Sequence, residues 1–217
     1  MDPAYLDVSE STGGQLLLFQ KSDFAKAGPA LAASYTHPAT VVRLVGHLNG
    51  QRDVEFPVDS TIESFLLVSS VQCRSAVTVS RPSGTEATAA NSAFSSDHTA
   101  GKVLQVDNPE PGEWKVRLRG TGLFVLTVQA KTRLRLTGLT VQDSQLQIRI
   151  AGEATGIALR VTDAAGVRLA DLPAPEQVEE GRYRMPFTPP AGRYRIVVSG
   201  EDQGRRPFVR TYPVLFR

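Results

Sequence analysis

Cysteine is all but absent from this chain. Cys73 is the only one in 217 residues, so no intrachain disulfide can form. It sits in SSVQCRSAVTVS among alternating apolar residues, which reads as a buried structural thiol. No apolar run approaches the roughly 20 residues needed to cross a membrane as a helix. The first ten residues, MDPAYLDVSE, carry neither a basic nor an apolar signal region. They are read as lacking a signal peptide, and the chain as a piece of something longer. Charge of one sign is missing too. The formal charge is +2, and the basic clusters Lys115–Arg119 and Lys131–Arg135 alternate with apolar residues, as on the wet face of a strand; Gly204–Arg206 is a third, short cluster. That patterning argues against nucleic-acid binding.

Histidine is scarce. His37, His47 and His98 show no metal-binding spacing. Asp97-His98 beside several serines allows a hydrolase triad to be imagined, but no G-x-S-x-G elbow accompanies it, and His98 reads as a solvated loop residue. The pairs Glu110/Glu113 and Glu179-Glu180 fall in turns and read as surface. Gly120-Thr121-Gly122 reads as hairpin chemistry, not a phosphate cradle. No catalytic, cofactor-binding or metal-ligating residue is assigned.

Strand signal is abundant. VVRLVGHL (41–48), DVEFPV (53–58), IESFLLVSS (62–70), SAVTVS (75–80), KVLQVD (102–107), EWKVRLRG (113–120) and LFVLTVQA (123–130) are rich in Val, Leu and Phe with period-two alternation. Asn49-Gly50, Pro82-Ser83-Gly84 and 108–112 supply turn chemistry. Residues 84–101 are small and polar and read as a long loop. A second run of strand-like segments fills 131–216, and no long amphipathic helix is expected after residue 39. Before it, GQLLLFQ (14–20) reads as a buried strand, followed by a weak helix capped at Ser22 or Asp23 and continuing to Tyr35.

The two halves look alike. Ser64 and Leu146 stand 82 residues apart, Gly84 and Gly166 likewise 82, Trp114 and Tyr194 80. One offset shared by three features predicts duplicated units with the same strand order, each the size of an immunoglobulin-like sandwich. Trp114 and Tyr194 then anchor the two cores. The fold expected is all-β: two tandem immunoglobulin-like β-sandwiches over 39–136 and 137–217, after a strand-helix remnant over 1–38. The junction near 131–140 lacks proline and is expected to be stiff.

The stretches STGGQLLLFQKSDF, FPVDSTIESFLLVSS, SRPSGT and VDNPEPGEWKVRLRGTGLFVLTVQA resemble the region that follows the von Willebrand factor type A domain in hemicentins. They equally resemble that region in proteins like von Willebrand factor A domain-containing protein 7. GRYRMPFTPPAGRYRIVVSGEDQGRRPFVRTYPVLF is similar to the same family's second sandwich. The resemblance implies extracellular adhesion or matrix contact and no catalytic residue. It also tests one motif: Asp7, Ser9 and Ser11 (DVSES) have the D-x-S-x-S spacing of the type A metal loop. That loop belongs near the start of its domain, and this motif lies at the end of the resembling segment. Its hydroxyls, with Thr12, are therefore expected to satisfy local backbone groups, and no metal or cofactor is assigned.

The functional expectation is a non-enzymatic extracellular adhesion, interaction or spacer module that contacts its own upstream type A domain. The alternative is an accessory region of a secreted enzyme or toxin. A protein or glycan partner would meet loops 84–101 or 201–206, or add a strand at a sheet edge.

Overall fold

The computed structural model describes residues 3–18, 21–26, 28, 32, 35–73 and 75–216. Among these residues, fourteen strands follow an α-helix and a 3₁₀ turn. Two are unusually long: β1 (Ala39–Val58) and β6 (Gly112–Thr132) pair antiparallel along their whole length. Asn49-Gly50 and Gly120-Thr121-Gly122 were expected to be turns. They lie instead inside these strands, directly opposite one another, with Gly50 facing Gly120 and Leu48 facing Gly122. Gly50 and Gly120 have φ of 99° and 155°, values open to glycine. Paired glycines let the two-stranded ribbon bend without breaking its ladder.

The bend makes a sandwich from one sheet. The C-terminal half of β6 pairs with β2 (Ile62–Val71), which continues through β5 (Gly101–Asp107) to β4 (Phe94–His98); its N-terminal half pairs with β3 (Ala76–Ser80). Counting half-strands, five segments form one layer and three the other. Between them lie Phe56, Phe65, Leu67, Trp114, Val116, Phe124 and Leu126, drawn from both sides of the bend. Trp114 is fully buried, as expected of an anchor; Phe65 meets its ring edge-on at 4.9 Å, and its indole N–H donates to the Glu110 carbonyl. Burying such side chains stabilises by about 1.5–3 kcal/mol each.

The second core is held by two four-stranded antiparallel sheets. One runs β11 (Glu176–Glu179), β12 (Arg182–Pro186), β8 (Gln145–Ala151), β7 (Arg135–Gln142). The other runs β10 (Arg168–Asp171), β9 (Ala154–Thr162), β13 (Arg195–Asp202), β14 (Pro207–Thr211). Ile148, Met185, Ile196, Val198 and Phe208 fill the space between, and Tyr194 lies at 5.4 Å from Phe216 in a stacked pair. Part of the pairing recurs in both units: β4–β5–β2 parallels β11–β12–β8, and β3–β6 parallels β9–β13. The neighbours beyond differ, because β1 and β6 each serve both layers of the first unit, so strand order is not shared throughout.

The N-terminal expectation needs correction. Pro3–Thr12 is an α-helix (α1), with proline in its first turn, where its missing N–H costs nothing. The described part of GQLLLFQ, 14–18, forms no strand. β2 is buried on both faces, and its outer side chains Leu66 and Val68, with Val103, are covered by Leu17 and Phe94. The Leu18 N–H donates to Ser70 Oγ. The apolar run therefore works as a strap over a sheet face and has no edge to pair with. Lys21–Lys26 is a 3₁₀ turn, and the helix read on towards Tyr35 lies largely outside the described residues.

Residues 84–101 are not one loop. β4 pairs with β5 there, and His98, expected in solvent, is 7% exposed. The hairpin is pressed against β2: a Cβ at Gly101 would lie 1.9 Å from the Ser69 carbonyl oxygen. Asp23 accepts the Thr99 N–H at 2.9 Å. Cys73, expected to be buried, is exposed, because β2 ends at Val71 and the chain bends outward at 72–73.

Buried charge joins α1 and the two cores. The Glu10 carboxylate lies between Arg43 of β1, at 2.8 Å, and Arg195 of β13; both guanidinium side chains are 1% exposed. Arg43 also donates to the carbonyls of Ser9, Gly13 and Gly14, and Arg195 to that of Pro213. Beyond them, Thr211 Oγ1 donates to the Val41 carbonyl, and Arg210 lies 2.8 Å from Asp59. The Ser60 N–H and hydroxyl donate to Asp202. Leu134, between β6 and β7, is fully buried, and its carbonyl accepts from Arg210 Nε. The connection is two residues long, and its Leu134 is packed into the core. No helix among the described residues is long and apolar enough to cross a membrane.

Candidate functional site

DVSES falls on α1, and its oxygens are already engaged. Asp7 pairs with Arg193 at 2.6 Å. Ser9 Oγ donates to the Gly14 carbonyl and accepts from Arg43. Ser11 and Thr12 both donate to the Val8 carbonyl. The buried charge of the motif is Glu10, at one of its unconstrained positions. No cluster of three or more His, Cys, Asp or Glu able to hold a metal occurs among the described residues.

The three histidines lie apart from one another in role. His37 is buried, with Thr36 and Ser64 hydroxyls at 2.9 Å from its two ring nitrogens; His47 is exposed on β1; His98 is buried on β4, and the neighbouring Asp97 pairs with Lys102 at 3.2 Å. That arrangement does not form the imagined triad. Glu110 and Glu113 are exposed, as read, and Glu110 contributes only its carbonyl, to Trp114. Glu179 pairs with Arg182.

Of the two candidate loops, 201–206 stands at a concavity. Three connections converge at one end of the two four-stranded sheets: β8 to β9 at Gly152-Glu153, β11 to β12 at Glu180-Gly181, and β13 to β14 at 203–206. They enclose an open cleft of about 990 Å³, lined among others by Glu153, Gln177, Glu180, Tyr183, Gln203 and Arg205. Gly181 makes the cleft wall possible. Its φ is 68°, and a Cβ there would stand 2.4 Å from the Ile150 carbonyl oxygen; the Ile150 N–H donates to the Gly181 carbonyl in return. Burial pushes the Tyr183 phenol above its ordinary pKa.

Asp202 shapes the loop. Its carboxylate accepts from the Arg206 N–H at 2.8 Å and from Ser60 across the junction. Burial opposes its charge, but hydrogen bonds from Ser60, and from the backbone at Arg206, Ser60 and Gly204, outweigh that and hold its pKa below the usual value. Within this clamp Arg205 takes a left-handed conformation, φ 56°, which costs a non-glycine residue about 1–2 kcal/mol. Such strain is concentrated at ligand-contacting sites. The result is an exposed guanidinium held at a cleft of amides, carboxylates and a phenol, with no histidine or cysteine among the lining residues. It can hydrogen-bond a polyhydroxylated or peptide ligand through many directions. The sequence marked the loop, but could not bring Glu153 and Gln177 to it.

Comparison with known proteins agrees in part with the resemblance in the sequence. Residues 40–133, under half of the chain, match the family described as hemicentin galactose-binding domain-like. No curated protein matches the chain. Among solved structures, a Bacillus licheniformis lipase in its propeptide form is 15% identical, with 78% of this chain and 40% of that chain covered, at a TM-score of 0.41. A Bacteroides uniformis β-glucuronidase (13% identity, 78% and 27% covered, TM-score 0.27) and a Parabacteroides distasonis β-1,2-glucanase (8%, 76% and 30%, 0.28) are also similar. The chain spans no more than 40% of the length of these three solved chains.

Proposed function

We propose that the chain is a non-enzymatic extracellular module of a hemicentin-like protein, which presents a rigid binding end to a protein or glycan partner. The match of residues 40–133 to the hemicentin galactose-binding domain-like family carries this reading. The module comprises two tandem sandwiches, 39–136 and 137–217. The pairing β7–β8–β12–β11 against β10–β9–β13–β14 supports an immunoglobulin-type order for the second. In that order, loops gather at one end of a rigid scaffold, which is where binding residues concentrate. The cleft around Gln203 and Arg205 is at such an end. An upstream type A domain would contact α1, which already packs against both sandwiches through Glu10.

The test is binding of the full chain to arrayed glycans and matrix proteins, with Gln203→Ala/Arg205→Ala as the cleft variant. The expected result is selective binding that the variant loses while its melting temperature holds. Binding that survives the double substitution moves the site elsewhere. Absence of any partner, or turnover of an ester or glycoside panel by the purified chain, overturns the proposal.

A further inference from the structure

Four arginines share the outer face of the β7–β8–β12–β11 sheet. Leu146, Ile148 and Ile150 of β8 and Tyr183 and Met185 of β12 are buried, so the alternate residues Gln147, Arg149, Arg182 and Arg184 stand on the opposite face. Register sets Arg149 directly opposite Arg182 and Gln147 opposite Arg184. Arg135, paired with Ala151, stands on the same face. Like charges directly opposite one another destabilise a sheet, and the core on the other side gains nothing from them. Glu179 and Glu176 on the edge strand β11 draw Arg182 and Arg184 towards themselves, at 2.8 and 2.9 Å. Arg149 has no ion-pair partner among the described residues.

Next to Arg149, β7 offers Gly138. The missing side chain leaves a depression of about 360 Å³ bounded by Thr140, Gln147, Arg149 and Arg182. One ladder step further, a second depression of about 460 Å³ lies over Gln145, Glu176, Arg184 and Pro186. The two occupy successive rows of the same ladder and form a furrow along β8 and β12.

We infer that this furrow binds an acidic polysaccharide, with sulfate or carboxylate groups of successive sugars on Arg149 and on Arg182 and Arg184, and sugar hydroxyls on Gln147 and Thr140. Four arginines against two glutamates leave the face cationic. Exposed ion pairs contribute little, so Arg182 and Arg184 can exchange Glu179 and Glu176 for ligand oxygens. A guanidinium fork matches a planar carboxylate, and a sulfate face, through two parallel hydrogen bonds. The ligand also relieves the repulsion between Arg149 and Arg182. This site is separate from the cleft at Arg205, and either can fail without the other.

The test is titration of the full chain with a size-defined heparin oligosaccharide, alongside an unsulfated uronate oligosaccharide, a neutral one, and a single-stranded oligonucleotide of equal charge. Arg149→Gln, Arg149→Gln/Arg182→Gln, and the control Arg119→Gln on the first sandwich are compared. The expected result is binding of at least one acidic sugar over the neutral one, weakened at least tenfold by the double substitution, unchanged in R119Q, and falling steeply with salt. The sulfated and unsulfated arms identify the preferred anion. Arg149→Gln is expected to melt no lower than the parent, which separates lost binding from lost folding. No binding of either acidic sugar, equal loss in R119Q, or equal binding of the oligonucleotide overturns the inference.

Discussion

Glu10→Gln is the substitution that most directly tests how the three parts of the chain are joined. The carboxylate is 4% exposed and faces two guanidiniums that are 1% exposed. The amide keeps the volume and removes the charge, leaving two buried cations pointed at each other. Arg43 retains acceptors in Ser9, Gly13 and Gly14. Arg195 is worse placed: only the Pro213 carbonyl accepts at close range, Tyr212 lies at 3.5 Å, and its Nε has no partner among the described residues. Burial, with Arg43 adding, already pushes the Arg195 pKa down to about 10 against the pull of Glu10. Removing one partner of a buried ion pair costs about 3–5 kcal/mol. For a chain of this size each kcal/mol is worth roughly 2–4 °C, so E10Q is expected to melt about 6–20 °C lower, read by circular dichroism at neutral pH. Adding Arg195→Met should restore much of the loss, since one stranded cation is then replaced by apolar volume. A drop of under about 1 kcal/mol, or no recovery in the double variant, refutes the claim that this carboxylate ties helix and sandwiches together.

Three further outcomes follow from named contacts. Gly50→Ala meets no atom within 4 Å, so its cost is conformational alone, about 1–2 kcal/mol by thermal unfolding; an equally small effect for G50A and Asn49→Ala would refute the bend. Asp202 has a pKa below the usual value, so its stabilisation is complete above the ordinary carboxylate range and is lost as pH falls through the lower folded value; Asp202→Asn should flatten the acid limb of stability below about pH 4, and an unchanged limb would refute the clamp. Cys73 should react with a thiol reagent in the native state at the rate of a free thiol, and protection until unfolding would contradict its exposure.

The strands of this molecule were legible because alternation is local. Val116, Leu118 and Trp114 announce one face of β6 without reference to any partner. The bends were not, because a positive-φ glycine serves a turn and a bent ribbon equally well. Only the placement of Gly50 opposite Gly120 distinguishes them, and that pairing spans 70 residues. The run Leu16–Leu18 misled for a related reason: apolar continuity reports burial, and burial was supplied by lying across Leu66 and Val68, with no ladder. His98 was placed in solvent by the polarity of its neighbours, whereas it is buried at the end of β4, where it pairs with Gly101.

The residues that organise the candidate sites were the least legible, and the reason is physical. A buried charge is tolerable only where its partners arrive from elsewhere. Glu10 meets Arg43 and Arg195, which lie 33 and 185 positions away, and Asp202 meets Ser60 from 142 positions away. Each such contact is costly if half-made, so each fixes a relative placement that apolar packing alone would leave slack. The Asp202 carboxylate that accepts from Ser60 also accepts the Arg206 N–H that closes the turn at Arg205. The junction and the cleft are thus joined through Asp202: loosening the first core from the second should blur the cleft before it unfolds either core.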